Sequence, residues 1–139
     1  MKHEDNVINK RTKNILKKLN KKFKNLLIYD HHLSHAASAC FSSGLKKCYC
    51  LTIDGWGDNS SAKILKFEKG VLHEISSTPT IDSLGYFYGS ITKLLGFKPH
   101  QHEGKVLGLA AYGRNTKVIK YINEMISFDL ITKKFKGNY

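Results

Sequence analysis

The sequence has 139 residues, enough for one domain of ordinary size, and 41% of them are hydrophobic and 24% charged. This composition excludes a disordered or collagen-like chain. The apolar runs are short and no apolar stretch follows the charged start, so we expect neither a membrane-spanning helix nor a secretory signal. The three cysteines (Cys40, Cys48 and Cys50) are an odd, clustered set rather than a disulfide framework, and a reduced, cytoplasmic protein is the default expectation.

The formal net charge of +12 is concentrated at the N-terminus, because residues 1–25 carry nine basic and two acidic side chains. Such a segment attracts RNA, DNA or an anionic membrane surface by nonspecific electrostatics. It is equally explained as the solvated face of a helix in a lysine-rich chain. The sequence has no RNA-binding signature that favours the first interpretation, so the charge alone names no function.

Apolar residues in the first segment recur three, four and seven positions apart, which predicts a basic amphipathic helix over residues 1–25. They are Ile8, Ile15, Leu16, Leu19 and Phe23. Residues 26–29 are a candidate for a short buried strand that ends at Asp30. The small residues at 35–39 predict a helix that opens directly after a histidine-rich turn.

Strand formers dominate residues 48–53, and this strand is predicted to end abruptly at Asp54. Residues 61–68 and 71–77 flank Lys69-Gly70 and predict a β-hairpin. Residues 83–95 predict a helix. Its expected apolar side consists of Leu84, Phe87, Tyr88, Ile91, Leu94 and Leu95.

The C-terminal third predicts two more helices, over residues 103–112 and 116–126, and a last strand pair over 128–135. Strands precede helices in blocks along the chain. This order favours a mixed α/β layer structure.

The densest group of chemically active side chains is Asp-His-His-Leu-Ser-His at residues 30–35. His31 and His35 are four positions apart, so an early helix start would bring both rings to one face. Neutral imidazoles at this spacing suit Fe(II), Zn(II) or Mn(II). Asp54 would add a carboxylate at the end of a neighbouring strand, where sites in α/β sheets lie. Capping and packing roles for these histidines are the alternative.

Two other segments have the chemistry of an anion site. Gly55 and Gly57 in Asp-Gly-Trp-Gly-Asp allow positive φ, so this turn is able to present amide N–H groups to a phosphate. Glu103 and Lys105 stand at a predicted helix start, where a lysine favours anions and a carboxylate accepts hydrogen bonds from sugar hydroxyls. An ordinary tight turn and an ordinary surface helix start are the alternatives.

The spacing of the three cysteines distinguishes a structural zinc site from ordinary strand cysteines. Cys48 and Cys50 point to the same face of a strand, but Cys40 precedes them by eight residues and no second closely spaced pair exists. This arrangement favours a pair of strand cysteines over a structural zinc site.

Four motifs occur in one order along the chain: DHHLSHAASA at 30–39, LTIDG at 51–55, SLG followed by Tyr at 83–88, and EGKVLGLAAYG at 103–113. Together they resemble the carbamoyltransferase family of the NodU/CmcH type, and the resemblance runs over residues 26–114. Members of that family attach carbamoyl groups to hydroxyls of antibiotics and of nodulation signal oligosaccharides.

The resemblance implies an α/β fold, a partial actin-like ATPase domain over residues 26–139. Such a domain has a ribonuclease-H-like, mixed sheet with flanking helices and holds its nucleotide between two halves. The motifs are also similar to those of the tRNA threonylcarbamoyl-transfer proteins, which carry a His-x-x-x-His metal pair at the matching place.

By this resemblance His31, His35 and Asp54 would bind a divalent metal of iron type. The metal would hold and polarise the phosphate of a carbamoyl-adenylate made from carbamoyl phosphate and ATP. His32 would be a proton acceptor or a group behind the ligands. Glu103 would hold the adenylate ribose, with Lys105 nearby. These roles are what the family resemblance implies for the matching positions.

The sequence also departs from the family. A basic helix stands where members have a longer stretch, and no glycine-rich nucleotide segment, later metal-binding aspartate or adenylate-forming domain follows. We therefore expect a fragment that works with a complementary chain or a missing C-terminal half. The alternatives are a noncatalytic remnant whose basic helix binds nucleic acid or an acidic partner, and a tRNA threonylcarbamoyl-transfer protein. Residues 33–38 and 103–113 fit the antibiotic and nodulation branch better.

Overall fold

The computed structural model describes residues 15, 17–19, 27, 29–114 and 116–138. Residues 15 and 17–19 are helical, and the rest of the helix predicted over 1–25 lies outside the described residues. The strand predicted at 26–29 is wrong at both of its described residues, Leu27 and Tyr29, which carry no regular structure and have exposed side chains. No described strand pairs with them, so they lack the ladder hydrogen bonds that hold an extended segment.

The main body begins with a helix and a meander of three strands. These elements are α1 (His31–Ser42), β1 (Lys47–Gly57), β2 (Ser60–Glu68) and β3 (Val71–Pro79). Two helices and two 3₁₀ turns follow. In chain order these elements are the turn Thr80–Asp82, α2 (Leu84–Leu94), α3 (Glu103–Leu109) and the turn Ala110–Tyr112. The last elements are α4 (Val118–Met125), β4 (Ile126–Asp129) and β5 (Lys134–Gly137).

The mixed α/β class is confirmed, but the mixed sheet is not. The sheet is antiparallel in the order β1-β2-β3, and β4 and β5 form a separate antiparallel pair. Two-residue turns join β1 to β2 and β2 to β3, and strands joined by such short turns must run antiparallel. Lys69 and Gly70 both have positive φ (53° and 76°), as the favoured two-residue hairpin turn requires.

Helix α1 packs against β1 and β2 and contributes one side of the small core. Its buried residues are His32, Ala36 and Cys40, which recur every four positions and so lie on one face. They meet the inward face of β2, where Leu65 and Phe67 are buried. The helix starts at His31, earlier than the predicted opening after the histidine-rich turn, and this early start is the condition on which the histidine pairing depended.

Helix α2 begins after Ser83, whose hydroxyl accepts a hydrogen bond from the Tyr86 amide at 3.1 Å. The predicted span is confirmed, and its predicted apolar side is partly covered: Leu84, Phe87, Tyr88 and Ile91 are half-buried, and Leu94 and Leu95 are exposed. The fully buried positions are Ser83, Gly89 and Thr92, whereas Leu94 is 83% exposed. At Gly85 the helix lies so close to β1 that a Cβ would stand 2.6 Å from the Cα of Gly55.

Strand β1 continues past the predicted end at Asp54, because a bulge between Ile53 and Gly57 carries the chain on to Gly57. The helices predicted over 103–112 and 116–126, the hairpin around Lys69-Gly70 and the final strand pair are confirmed within a few residues. No helix in the described part of the chain has the length and apolar character needed to cross a membrane.

Candidate metal centre

Three side chains from two elements point at one place on the surface. His31 and His35 lie in the first turns of α1, and Asp54 lies in the bulged part of β1. The Nε2 atom of His31 lies 2.9 Å from Oδ2 of Asp54 and 3.2 Å from Nε2 of His35, and the remaining side of this triangle, from His35 to Asp54, is 3.9 Å.

The bulge in β1 explains how a strand residue reaches the helix. An irregular step in a ladder re-aims the side chains next to it, and Asp54 stands within this one. Its Oδ1 atom accepts the Gly55 amide hydrogen at 2.7 Å, which leaves Oδ2 directed at His31. Asp54 therefore uses one carboxylate oxygen to fix its own position and offers the other to the two imidazoles.

The start of α1 donates hydrogen bonds to two carboxylates, one from the residue before the helix and one from the turn after β1. Asp30 caps the helix through Oδ1, which accepts the Leu33 amide hydrogen at 2.8 Å. Asp58, on the turn after β1, accepts the His31 amide hydrogen through Oδ2 at 2.9 Å. Negative charge at a helix N-terminus is favourable, and here it also fixes where His31 stands relative to β1.

Lys63 on β2 forms ion pairs with the capping residue Asp30 and with Glu74 on β3. Its Nζ atom lies 3.1 Å from Oδ2 of Asp30 and 2.9 Å from Oε2 of Glu74. Burial alone would lower the pKa of Lys63, but the hydrogen bonds from Glu74 and Asp30 outweigh it and the pKa is raised. Burial acts to raise the pKa of Asp30, and the Leu33 amide and Lys63 reverse this and lower it. Both partners therefore stay charged.

The donor set fits a divalent metal. Two ligand atoms that stand at a right angle around an ion at about 2.1 Å are about 3.0 Å apart, and at a tetrahedral angle about 3.4 Å. The three observed separations scatter around these values, and all three atoms lie within 4.8 Å of one another. Two imidazoles and one carboxylate on one face are the ligand set of non-haem Fe(II) centres.

The three side chains are also open to solvent on one side. Their exposed fractions are 37% for His31, 59% for His35 and 44% for Asp54. A metal ion held by these three residues would be accessible to a substrate from the solvent side. The hydrogen bond from His31 lowers the pKa of Asp54, so this carboxylate is anionic and ready to bind a cation.

His32 does not have the exposure that a proton acceptor needs. Its side chain is fully buried, Nε2 donates to the Ser60 carbonyl at 3.1 Å, and Nδ1 lies 2.9 Å from the Thr52 hydroxyl. With both ring nitrogens occupied inside the core, His32 reaches no reactant. The proton-acceptor interpretation of His32 is therefore corrected. Its ring meets the His31 ring edge to face, with centroids 5.2 Å apart, so a role behind the ligands stays a prediction.

The phosphate-turn interpretation of Gly55 and Gly57 is also corrected. Neither has a positive φ; in this segment only Asp58 does, at 56°. The Gly55 amide donates to Asp54, and its carbonyl accepts the Ser83 hydroxyl at 2.7 Å. The strand continues through both glycines, so their backbone groups are used within the protein.

Glu103 and Lys105 stand at the start of α3, as predicted, away from the three ligand atoms. Glu103 accepts the His100 amide hydrogen, and this hydrogen bond lowers the pKa of the carboxylate. Lys105 is exposed, with Nζ 3.2 Å from Nε2 of His102. Among the described residues, no hydrogen bond or ion pair joins Glu103 or Lys105 to the His31–Asp54 cluster.

Helix α2 packs next to both the segment that carries Asp54 and the side chain of Glu103. A Cβ at Gly85 would meet the backbone of Gly55 at 2.6 Å, and a Cβ at Gly89, one turn later, would lie 3.8 Å from Oε1 of Glu103. Positions four apart lie on the same helix face. Asp54 and Glu103 are therefore held against neighbouring turns of one helix.

Sequence reasoning missed the positioning residues. Asp58 and Gly57 both lie in the Asp-Gly-Trp-Gly-Asp segment, which was interpreted through its backbone amides instead of its side chains. The available signal was a glycine inside a strand, which often marks a bulge or the close approach of another group. Here that group is the His31 ring, whose Cδ2 atom would lie 2.2 Å from a Cβ at position 57.

Comparison with known proteins places this sequence in a family. A family model described as carbamoyltransferase N-terminus matches residues 2–139. The uncharacterised protein MJ1051 of Methanocaldococcus jannaschii is 42% identical over 124 residues, which cover 86% of this chain and 23% of that protein. The nodulation protein NolNO of Sinorhizobium fredii is 42% identical over 83 residues, covering 60% and 12% respectively.

A third relative, the nodulation protein NolO of Bradyrhizobium diazoefficiens, is 38% identical over 84 residues, which cover 60% of this chain and 15% of NolO. The chain thus spans less than a quarter of the length of each of these three relatives. The match over residues 2–139 agrees with the motifs that the sequence carries, and the chain belongs to the carbamoyltransferase family, matching its N-terminal part.

Proposed function

We propose that this chain provides the metal-binding part of an O-carbamoyltransferase. The enzyme would transfer a carbamoyl group from a carbamoyl-adenylate, made from carbamoyl phosphate and ATP, to a hydroxyl of a small molecule or sugar. The observation that carries the proposal is the convergence of His31, His35 and Asp54 on one exposed point. Family membership supports carbamoyl transfer in general.

In this proposal His31, His35 and Asp54 hold a divalent ion, with Fe(II) favoured by the two-histidine, one-carboxylate set. When bound, the ion supplies positive charge that stabilises charge developing on the substrate phosphate. The protein keeps the three ligands in place beforehand through Asp58 on the His31 amide and the Gly55 amide on Asp54. Preorganised ligands lower the cost of binding the ion.

The nucleotide would lie along α2, between the metal ligands and the start of α3. Glu103 is anionic and fixed by the His100 amide, which suits a carboxylate that accepts hydrogen bonds from ribose hydroxyls. Lys105 is exposed two positions later and would contact a phosphate. We propose an actin-like domain as the complete fold, in which a complementary segment, on this or another chain, covers the nucleotide.

Metal binding is tested by anaerobic titration with Fe(II), followed by the fluorescence of Trp56, the sole tryptophan of the sequence. This residue is two positions from Asp54, and its indole N–H donates to the Asp58 carbonyl, so it reports on the site. We expect saturable quenching that is lost in His35→Ala and Asp54→Asn. His73→Ala, an exposed histidine on β3, is the matched control and should behave as wild type.

Unchanged quenching in His35→Ala would contradict the metal centre. Failure of the folded wild-type chain to bind any of Fe(II), Zn(II) or Mn(II) would do so as well and would favour the noncatalytic remnant. The nucleotide part is tested by equilibrium dialysis with AMP. We expect binding to the metal-loaded chain that Glu103→Gln weakens about tenfold, as loss of a charged hydrogen bond does, and equal affinity in this variant would contradict the ribose role.

The tRNA alternative predicts a different ligand. A tRNA threonylcarbamoyl-transfer protein would bind tRNA with a strong salt dependence through its basic segment, and this binding would coexist with the metal site. An antibiotic- or nodulation-type carbamoyltransferase would not prefer tRNA over other anionic polymers of the same charge. A gel-shift competition between tRNA and heparin separates the two.

A further inference from the structure

A pair of thiols joins the two elements that carry the candidate metal ligands. Cys40 lies on the buried face of α1, and Cys48 lies near the start of β1, partly exposed. Their Sγ atoms are 3.8 Å apart, in contact with each other. Cys50 follows on the same face of β1, and all three thiols are free.

We propose that Cys40 and Cys48 are a redox modification site that closes reversibly into a disulfide between α1 and β1. A disulfide needs the sulfurs to approach to about 2.05 Å. From 3.8 Å this is a movement of less than 2 Å, which is within reach of small side-chain rotations at both residues. The pairing is independent of whether the metal centre acts as proposed.

The chemistry balances with a small disulfide such as oxidised glutathione. Cys48, the more exposed of the two, attacks it as a thiolate and forms a mixed disulfide, and one glutathione leaves as its thiolate. Cys40 then attacks Sγ of Cys48, which forms the Cys40–Cys48 bond and releases the second glutathione. Two cysteine thiols are oxidised, the glutathione disulfide is reduced to two thiols, and the two cysteine protons pass to solvent or to the released thiolates.

The resting state of this pair is the dithiol. Desolvation raises the pKa of the Cys40 thiol and that of the Cys48 thiol, so few thiolates are present and their attack on a disulfide is slow. The dithiol is therefore expected to convert into the disulfide only where a disulfide oxidant is abundant. Once formed, the bond closes a short loop and restricts the unfolded chain.

The bond would act on the elements that hold the metal ligands. His31 and His35 precede Cys40 on α1, and Asp54 follows Cys48 on β1. A covalent link between these elements limits how far the helix can move from the strand. This consequence rests on the proposed function, whereas the existence of the bond does not.

The experiment uses the metal-free chain, reduced and then incubated with oxidised glutathione. We expect an intact mass lower by two hydrogens, with no retained glutathione, and recovery of the original mass after dithiothreitol. Lys46 and Lys47 separate Cys40 from Cys48, so trypsin should yield a cross-linked peptide pair. Cys48 and Cys50 share one tryptic peptide, so Cys50→Ser and Cys48→Ser identify the partner of Cys40.

Cys50→Ser should retain the cross-link, and Cys48→Ser should lose it. The oxidised wild type should also melt several degrees higher than its reduced form, a shift that Cys48→Ser should not show. Stable glutathione adducts without a cross-link would overturn the proposal. So would a cross-link that persists in Cys48→Ser, or one that forms only after the chain is unfolded in urea.

Discussion

Gly57 lies directly beneath the imidazole of His31, so close that a Cβ at position 57 would stand 2.2 Å from Cδ2 of the ring. The glycine leaves the space in which the ring turns its Nε2 atom toward Asp54. A strand glycine normally weakens a sheet because it packs no side chain. Here the empty position is what brings a helix histidine and a strand aspartate together.

Gly57→Ala is therefore expected to abolish tight metal binding without unfolding the chain. The added methyl group displaces the His31 ring, which is a side chain and moves at modest cost, so the fold survives while the ligand triangle opens. Gly55→Ala is the matched control, because a Cβ there meets nothing within 4 Å. Fe(II) titration with circular dichroism of both variants tests this, and equal metal affinity in the two would contradict it.

A second pair of glycines separates packing from helix propensity. Gly85→Ala would place a Cβ 2.6 Å from the Cα of Gly55. Because the backbone of Gly55 cannot move aside as a side chain does, we expect this variant to lower the free energy of unfolding by roughly 1–3 kcal/mol. Gly89→Ala meets only Oε1 of Glu103, at 3.8 Å, and should be neutral or stabilising by up to about 1 kcal/mol.

Urea unfolding of both variants measures the difference. If Gly85→Ala were as stable as Gly89→Ala, α2 would not be held against the Gly55 backbone. The connection between the metal ligands and Glu103 through that helix would then be lost as well.

Local patterns predicted the elements well and their inner faces less well. Hairpin turns, caps and periodic apolar residues act within a few positions, so the span of α2 and the turn at Lys69-Gly70 followed from the sequence. The apolar side of α2 is only half-buried, and the close approach of Gly85 to Gly55 is set by tertiary contact. Hydrophobic periodicity carries no information about such a contact.

The same limit applies to the candidate site. The four-residue spacing indicated that His31 and His35 share a helix face, and Asp54 was chosen because it follows an apolar strand segment. The bulge that aims Asp54 depends on the pairing of β1 with β2. The contacts of Asp54 and Asp58 with His31 join residues 23 and 27 positions apart. His32 stands between the two exposed histidines, and only the packing of α1 on β1 distinguishes it from them.

His32 and His35 should therefore respond in opposite ways to truncation. His32→Ala removes a fully buried side chain and leaves the Ser60 carbonyl without its donor, so we expect a loss of about 3 kcal/mol in unfolding free energy. His35→Ala removes a side chain that is 59% exposed and should change stability by less than about 0.5 kcal/mol in the absence of metal.

Urea unfolding without metal, followed by Fe(II) titration of the folded variants, compares the two. Metal binding should disappear in His35→Ala, whose fold is intact. If His32→Ala were as stable as wild type, the core position of His32 would be wrong and a chemical role would again be open to it.

The charged cap of α1 predicts a dependence on pH. Asp30→Asn keeps the capping geometry but loses the ion pair with Lys63, so near neutral pH we expect a loss of about 1 kcal/mol in unfolding free energy. The pKa of Asp30 is lowered from 3.8 in the folded chain. Its stabilising contribution is therefore complete above the unfolded value and disappears as the pH falls through the lower folded value.

The difference between wild type and Asp30→Asn should consequently be constant from neutral pH down to about pH 5 and shrink as the pH falls below the ordinary carboxyl value of 3.8. Glu74→Gln, which removes the more exposed partner of Lys63, is the control and should cost less. Urea unfolding at a series of pH values measures both. A difference that persists undiminished at the acid end would show that the Asp30 charge is not what ties the start of α1 to the sheet.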